Sequence, residues 1–386
     1  MRKCFLSLLV FAGFAQAATI AVPTPDTVIA PIASPPTMAV SSYLLVDGAT
    51  GQVLAESNSQ EQVEPASLTK LMTAYLAEKE LKAGNISMDD EVPVSVKAWK
   101  TEGSRMFIRE GTQVRLEDLL RGIIIQSGND ASVAMAEYLA GTEEAFAELM
   151  TAQAKALGME QTQFYNSTGL PAPGHLTSAR DLAILARQII YEHPELYRIY
   201  SEKSFTYNDI KQDNRNRLLW RDPSVDGLKT GHTSAAGYCL VASAERGGMR
   251  LISVVMGADS AAARERETSK LLNYGYRFFE GVTLFKANQD LNQDLRVWGG
   301  EVDTVAIGPA SEVYRALPKG ARDRLELTLD AEPDLSAPIA KGQQLGTLTV
   351  TLDGETLTQV PVVALADVAD GGLVKRAMDW VLKAME

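Results

Sequence analysis

Ser67-Leu68-Thr69-Lys70 places a hydroxyl and an amine three residues apart, so on a helix both lie on one face, a turn apart. A nucleophilic serine needs a base, and the chain, with three histidines, offers no convincing Ser/His/Asp set. Lys70 can serve only if its pKa falls; burial, a second lysine and the positive end of a helix would each lower it. Ser127-Gly128-Asn129 follows 60 residues later. It offers a hydroxyl that could relay a proton to a leaving amine and an amide that could hold a substrate amide. Lys229-Thr230-Gly231 comes a further 102 residues on. There a charge and a hydroxyl suit a carboxylate, and the glycine lets a substrate backbone lie close to a strand. Each triplet alone is weak: solvated helix starts and ordinary turns contain the same residues.

The elements that must hold these residues are partly readable. The 386 residues suit two domains, and 46% apolar with 22% charged residues is ordinary for a globular protein. Arg2 and Lys3, the apolar run Phe5 to Phe14 and Ala15-Gln16-Ala17 read as a cleaved signal peptide over 1–17, too short to span a bilayer as a mature helix. A Pro-rich leader occupies 18–37. Tyr43 to Asp47 and Gln52 to Glu56 read as a hairpin, and from Ser67 the pattern turns helical. Helices are expected at 116–125, 129–140, 143–157, 177–192 and 261–280, with strands at Tyr238 to Ala244 and Arg250 to Gly257. Strands at both ends with helices between predict an α/β domain over 38–281 whose sheet joins the two ends.

After Gly281 short alternating segments such as Arg324 to Leu329 and Thr347 to Leu352 predict a small all-β sandwich over 282–370. Residues 371–386 predict an amphipathic helix, with Leu373, Ala377, Trp380, Val381 and Ala384 on one side and Lys375, Arg376, Asp379 and Lys383 on the other. Such a helix either docks on the β domain or lies in a membrane surface. A net charge of −12 argues against nucleic acid as a partner, so an anionic substrate needs a local basic cluster. No Cys cluster suggests a metal site.

In this order and at these separations, the three triplets match the S-x-x-K, S-D-N and K-T-G signature of class A β-lactamases and penicillin-binding proteins, with Ser-Gly-Asn in the middle place. Pro65-Ala66-Ser67 to Thr73, Gly103 to Phe107, Gln126 to Ala131 and Val225 to Thr233 resemble one branch, the low-molecular-mass penicillin-binding proteins that act as D-alanyl-D-alanine carboxypeptidases. The resemblance runs from about residue 40 to the C-terminus. It implies a penicillin-binding/serine β-lactamase-like fold, with an antiparallel sheet flanked by helices and a C-terminal all-β domain. It implies release of the terminal D-Ala from peptidoglycan stem peptides, inhibition by β-lactams, no cofactor and a periplasmic site. The terminal helix would rest on the outer face of the inner membrane. By the same resemblance Ser67 is the nucleophile, Lys70 its base and Ser127 the proton relay. Asn129 supports the site, Lys229, Thr230 and Arg215 bind the terminal carboxylate, Gly231 lies along the substrate, and the backbone N–H groups of Ser67 and His232 form the oxyanion hole.

A β-lactamase of the same fold would need a glutamate to activate water, and no Glu-x-x-Leu-Asn segment lies between Asn129 and Lys229. An endopeptidase and a non-catalytic wall binder are the other readings; intact Ser67, Lys70, Ser127, Asn129 and Lys229 argue against the second. Among the remaining residues, Cys239 reads as a buried strand thiol and His175 as a surface or loop-packing residue. The His232 side chain reads as structural. His193 reads as a helix-terminal charge favouring the dipole, and Arg105 as a cleft-rim or solvated arginine.

Overall fold

The computed structural model describes residues 18–19, 34–332 and 334–385; the segment 1–17 expected to be a signal peptide and most of the Pro-rich stretch 18–37 lie outside them. The chain divides into two compact units, one ending at Phe279 and the other beginning at Glu280.

The first unit is built on five antiparallel strands: β1 (Ser42–Asp47), β2 (Val53–Ser57), β3 (Val225–Thr233), β4 (Gly237–Arg246) and β5 (Met249–Ala258), in the order β2-β1-β5-β4-β3. β1 pairs along its length with β5, so the sheet joins the two ends of the unit as expected. Strand alternation separates two buried faces. Ile252, Val254 and Met256 enter a large helical core with Leu44 and Val46. Leu251 and Leu45 instead press on Gly275, where a Cβ would come within 2.9 Å of both side chains. Gly275 belongs to the closing helix, Ala261–Phe278, whose N-cap Ser260 accepts from Ala263 N at 3.1 Å.

Between the strands lie α1 (Lys70–Ala83), α2 (Leu116–Arg121), α3 (Asn129–Ala140), α4 (Glu143–Ala156) and α5 (Ala179–Glu192), with the closing helix as α6. Two departures from regular helix matter. Ser67 sits in a 3₁₀ turn, Ala66–Thr69, that runs directly into α1. The helix expected over 116–125 is α-helical only to Arg121 and continues as a π turn, Gly122–Gln126, which delivers Ser127 in the left-handed region at φ 65°.

The second unit is all β up to its last helix. A two-stranded sheet, β6 (Phe279–Phe285) with β9 (Val313–Pro318), accompanies a seven-stranded sheet. The latter contains β7 (Asp294–Trp298), β8 (Thr304–Pro309), β10 (Leu325–Ala331), β11 (Leu335–Ser336), β12 (Gln344–Leu352) and β13 (Glu355–Ala364), with Ala18–Thr19 along β10. Val282 and Val313 from the small sheet share one core with Ile307, Leu327, Leu348 and Val362 from the large one.

The terminal helix α7 (Gly372–Lys383) inverts the usual burial. Its buried residue is Asp379, whose carboxylate accepts from Gly299 N at 2.7 Å and from Lys375 Nζ at 2.6 Å. Lys375 also bonds Asp303 at 2.5 Å. The apolar side faces out, with Leu373 85% and Val374 76% exposed. The helix is docked by its polar face.

Candidate active site

Lys70 opens α1 and is fully buried. Its Nζ donates to Asn129 Oδ1 at 2.7 Å, to the Thr168 carbonyl at 2.5 Å and to Ser67 Oγ at 3.3 Å. Among the described residues it has no carboxylate partner. Burial, and then the nearby Arg215 charge, bring its pKa down to about 7, while Asp130 and Glu143 oppose the shift. The lowered base that the S-x-x-K spacing requires is therefore present, with a half-buried serine hydroxyl beside it.

The carbonyl that receives Lys70 belongs to a loop the sequence reading did not single out. Glu143 Oε1 accepts from Ser167 N and Oγ, Thr73 Oγ1 donates to Ser167 O, and Asn166 Oδ1 collects Thr168 N and Gly169 N. Gly169 is obligatory at φ 83°, because a Cβ there would meet the Ala66 carbonyl at 1.8 Å. From the far end of this loop His175 Nδ1 accepts from Tyr165 N at 3.1 Å, which leaves Nε2 to donate to Thr69 Oγ1 at 2.8 Å. Burial pushes the His175 pKa down to about 4, so the ring is a neutral packing strut. Its loop-packing assignment holds.

Asn129, the first residue of α3, reaches Lys70, and Ser127 lies two residues before it. The Ser127 hydroxyl is buried without a partner among the described residues. Asn129 Nδ2 donates to Glu102 O at 2.6 Å and its N–H to Ser104 O at 2.7 Å. The Ser-Gly-Asn departure has a steric reason. A Cβ at position 128 would stand 2.9 Å from Asp130 Oδ1 and 3.2 Å from Met106 N, where Asp130 clamps the 106–108 backbone.

Lys229, Thr230 and Gly231 lie on β3, the edge strand of the sheet. Gly231 packs on the catalytic turn, its Cβ position 3.2 Å from both Leu68 Cγ and the Pro65 carbonyl. This contact sets β3 against the 3₁₀ turn that carries Ser67. Lys229 is buried, and burial together with Lys70, Arg215 and Arg264 pushes its pKa well below the usual lysine value. Such a crowd of cations is relieved by an anion. Arg215 is solvent-facing and is held between two buried asparagines. Asn214 Nδ2 donates to Glu202 O, and Asn216 Nδ2 to Gly227 O at 2.9 Å on β3. Arg215 thus adds to the positive charge acting on both lysines. Arg264 was missed because nothing in its helical surroundings marks it. It is buried in α6, with Nη1 3.5 Å from the Gly231 carbonyl.

Three assignments come out differently or more narrowly. His193 caps α5 but is buried against Tyr75, with ring centroids 5.5 Å apart, and burial lowers its pKa; it is a neutral core residue, not a dipole charge. The His232 ring lies 4.0 Å from that of Tyr238 on the neighbouring strand, a structural stack. Cys239 is fully buried and burial pushes its thiol up to about 11, so it is inert. No group of metal-ligating side chains occurs among the described residues.

The fold and this arrangement define a class, a serine-type hydrolase with the penicillin-binding fold. The chain belongs to the D-alanyl-D-alanine carboxypeptidase family, whose model matches residues 29–260, and the model of the penicillin-binding protein 5 C-terminal domain matches residues 279–370. It is 43% identical to D-alanyl-D-alanine carboxypeptidase DacC of Escherichia coli over 98% of this chain and 94% of that protein. Penicillin-binding protein 5 of Haemophilus influenzae superposes with a TM-score of 0.81 at 41% identity, covering 88% of this chain and all of the other. Penicillin-binding protein D2 of Listeria monocytogenes in an ampicillin-bound form superposes with a TM-score of 0.57 at 32% identity, covering 62% and 98%.

Proposed function

We propose that Ser67 attacks the carbonyl between the two D-alanines of a peptidoglycan stem peptide while Lys70 takes the hydroxyl proton. The protein is a serine-type D-Ala-D-Ala carboxypeptidase that removes the terminal D-Ala, is acylated by penicillins and limits cross-linking in cell-wall maturation. The observation that carries the assignment is the environment of Lys70: buried, bonded among the described residues only to neutral acceptors, and 3.3 Å from Ser67 Oγ. An amine so placed is neutral often enough at physiological pH to act as a base.

As the Oγ–carbon bond forms, negative charge on the carbonyl oxygen is met by the N–H groups of Ser67 and His232. Collapse breaks the carbon–nitrogen bond, and the proton held by Lys70 passes through Ser127 to the departing amine. Water then hydrolyses the acyl-enzyme. Lys229, Thr230 and Arg215 bind the C-terminal carboxylate, which offsets the mutual repulsion of the lysines. Gly231 keeps the strand edge close to the substrate backbone, and Asn129 holds Lys70 and the substrate amide. A penicillin carboxylate fits the same cluster.

Residues 1–17 act as a signal peptide, 18–37 as a leader, 38–281 as the catalytic domain and 282–370 as the β domain, while 371–386 anchor the protein to the outer face of the inner membrane. The outward apolar side of α7 supports the anchor. No helix among the described residues is long and apolar enough to cross a membrane. Mass spectrometry of penicillin-treated protein tests the nucleophile. The adduct is expected on the peptide containing Ser67 and absent in Ser67→Ala, whereas a stable adduct on another residue would overturn the assignment.

A further inference from the structure

Residues 102–108 are stitched to the first two residues of α3, Asn129 and Asp130, at five points. Asn129 bonds the carbonyls of Glu102 and Ser104, and the Asp130 carboxylate accepts from the N–H groups of Met106, Phe107 and Ile108 at 2.9, 2.8 and 3.2 Å. The alternate side chains Met106 and Ile108 are buried, which turns Arg105 and Phe107 outward. Phe107 is 44% exposed and holds φ at 71°, a region that is costly for an aromatic residue. Asparagine or glycine would make the same turn with less strain, so the outward ring comes at a conformational cost. The Arg105 guanidinium lies 5.9 Å from the centre of that ring and has no carboxylate partner among the described residues.

We propose that Arg105 and Phe107 form a subsite that reads the stem-peptide side chain upstream of the D-Ala-D-Ala terminus, selecting one that is aliphatic along its length and ends in a carboxylate. The inference rests on the carboxypeptidase reading. The terminal carboxylate is already met by Lys229 and Arg215, which approach on β3 and on the segment tied to it. Arg105 approaches on the segment tied to Asn129, so it addresses a different part of the same peptide. The Phe107 ring supplies an apolar surface for methylene groups, and the guanidinium supplies a planar pair of donors for a carboxylate.

The test compares D-Ala release from two acylated peptides of equal length ending in D-Ala-D-Ala. In one the upstream side chain is that of a diamino dicarboxylic acid; in the other it is that of lysine. The readout is the ratio of their kcat/KM values. The wild type is expected to favour the first, and Arg105→Ala to reduce that preference by about 3–5-fold, the scale of a partly exposed charge pair. Arg105→Lys should retain part of it. An unchanged ratio in Arg105→Ala, or no preference in the wild type, would overturn the proposal while leaving the carboxypeptidase reading intact. Release from neither peptide by the wild type would overturn that reading. Phe107→Gly tests the ring separately, because glycine accepts the positive φ. Tm should hold or rise while KM for the dicarboxylic peptide increases. A fall in Tm with unaltered KM would make Phe107 a structural residue only.

Discussion

Asn129 Oδ1 accepts a 2.7 Å hydrogen bond from Lys70 Nζ, so the nearest side-chain partner of the proposed base is a neutral amide and not a carboxylate. A carboxylate there would favour the charged lysine. Asn129→Asp is therefore expected to raise the Lys70 pKa by about 1–3 units and cut acylation at pH 7 by about 10–1,000-fold. In the wild type the acylation rate should rise with pH through about 7, where Lys70 loses its proton. In Asn129→Asp that rising limb should move to alkaline pH. Stopped-flow acylation by a chromogenic penicillin across pH 5–10 checks both, and coincident limbs would contradict the assignment of Lys70 as base.

The penicilloyl adduct should persist for minutes or longer. Fast water attack of the class A β-lactamase kind uses a free glutamate, and the acidic groups near Lys70 are engaged. Glu143 holds Ser167 through Oε1 and pairs with Lys97 at 3.1 Å through Oε2. Both Asp130 oxygens accept from backbone N–H groups. Intact-mass time courses after removal of excess penicillin measure the lifetime, and a half-life of seconds or less would place the chain functionally with the β-lactamases.

Glu78 makes the fold less stable as pH rises from about 4 to about 8. It is fully buried in α1, one oxygen bonded to Tyr200 Oη at 3.0 Å and the other without a partner, and burial pushes its pKa up to about 8. Since the unfolded carboxyl ionises near 4.3, stability is full below that value. It declines by about 1.4 kcal/mol per pH unit until about pH 8, where the folded group ionises too. Glu78→Gln should raise Tm by an amount on the order of 5 °C at pH 8 and change it little at pH 5. Equal shifts at both pH values in thermal melts would refute this.

Membrane association should depend on the outward side of α7. Replacing Leu373 and Val381 by Glu in the full chain is expected to abolish co-sedimentation with anionic phospholipid vesicles while leaving Tm unaltered, because neither side chain is buried. Undiminished sedimentation of the double variant would remove α7 from the account.

Ser67, Lys70, Ser127, Asn129 and Lys229 were legible because side-chain chemistry at fixed spacing is a property of sequence. The Thr168 carbonyl was not, since any residue supplies a carbonyl and only the folded loop aims it at Lys70. Glycine at 128 looked like a departure from pattern until the Asp130 clamp gave its steric cause. That the sheet joins the two ends of the domain was anticipated because β1 and β5 are apolar runs there, but the order β2-β1-β5-β4-β3 was not. The π turn before Ser127 was missed, as the run Gly122–Gln126 has an ordinary helical composition. His193 failed for a physical reason: position along a helix suggests a charge, but burial against Tyr75 removes it. For α7 the amphipathic pattern was readable, yet which side docks was set by Gly299 N and Asp303 far away in sequence.

The most direct measurement is free D-alanine released by the full chain from a peptide ending in D-Ala-D-Ala, beside Ser67→Ala of equal Tm. Release by the wild type that vanishes in the variant is the predicted result. Equal release by both would contradict Ser67 as the nucleophile, and no release by folded wild type would contradict the carboxypeptidase activity itself.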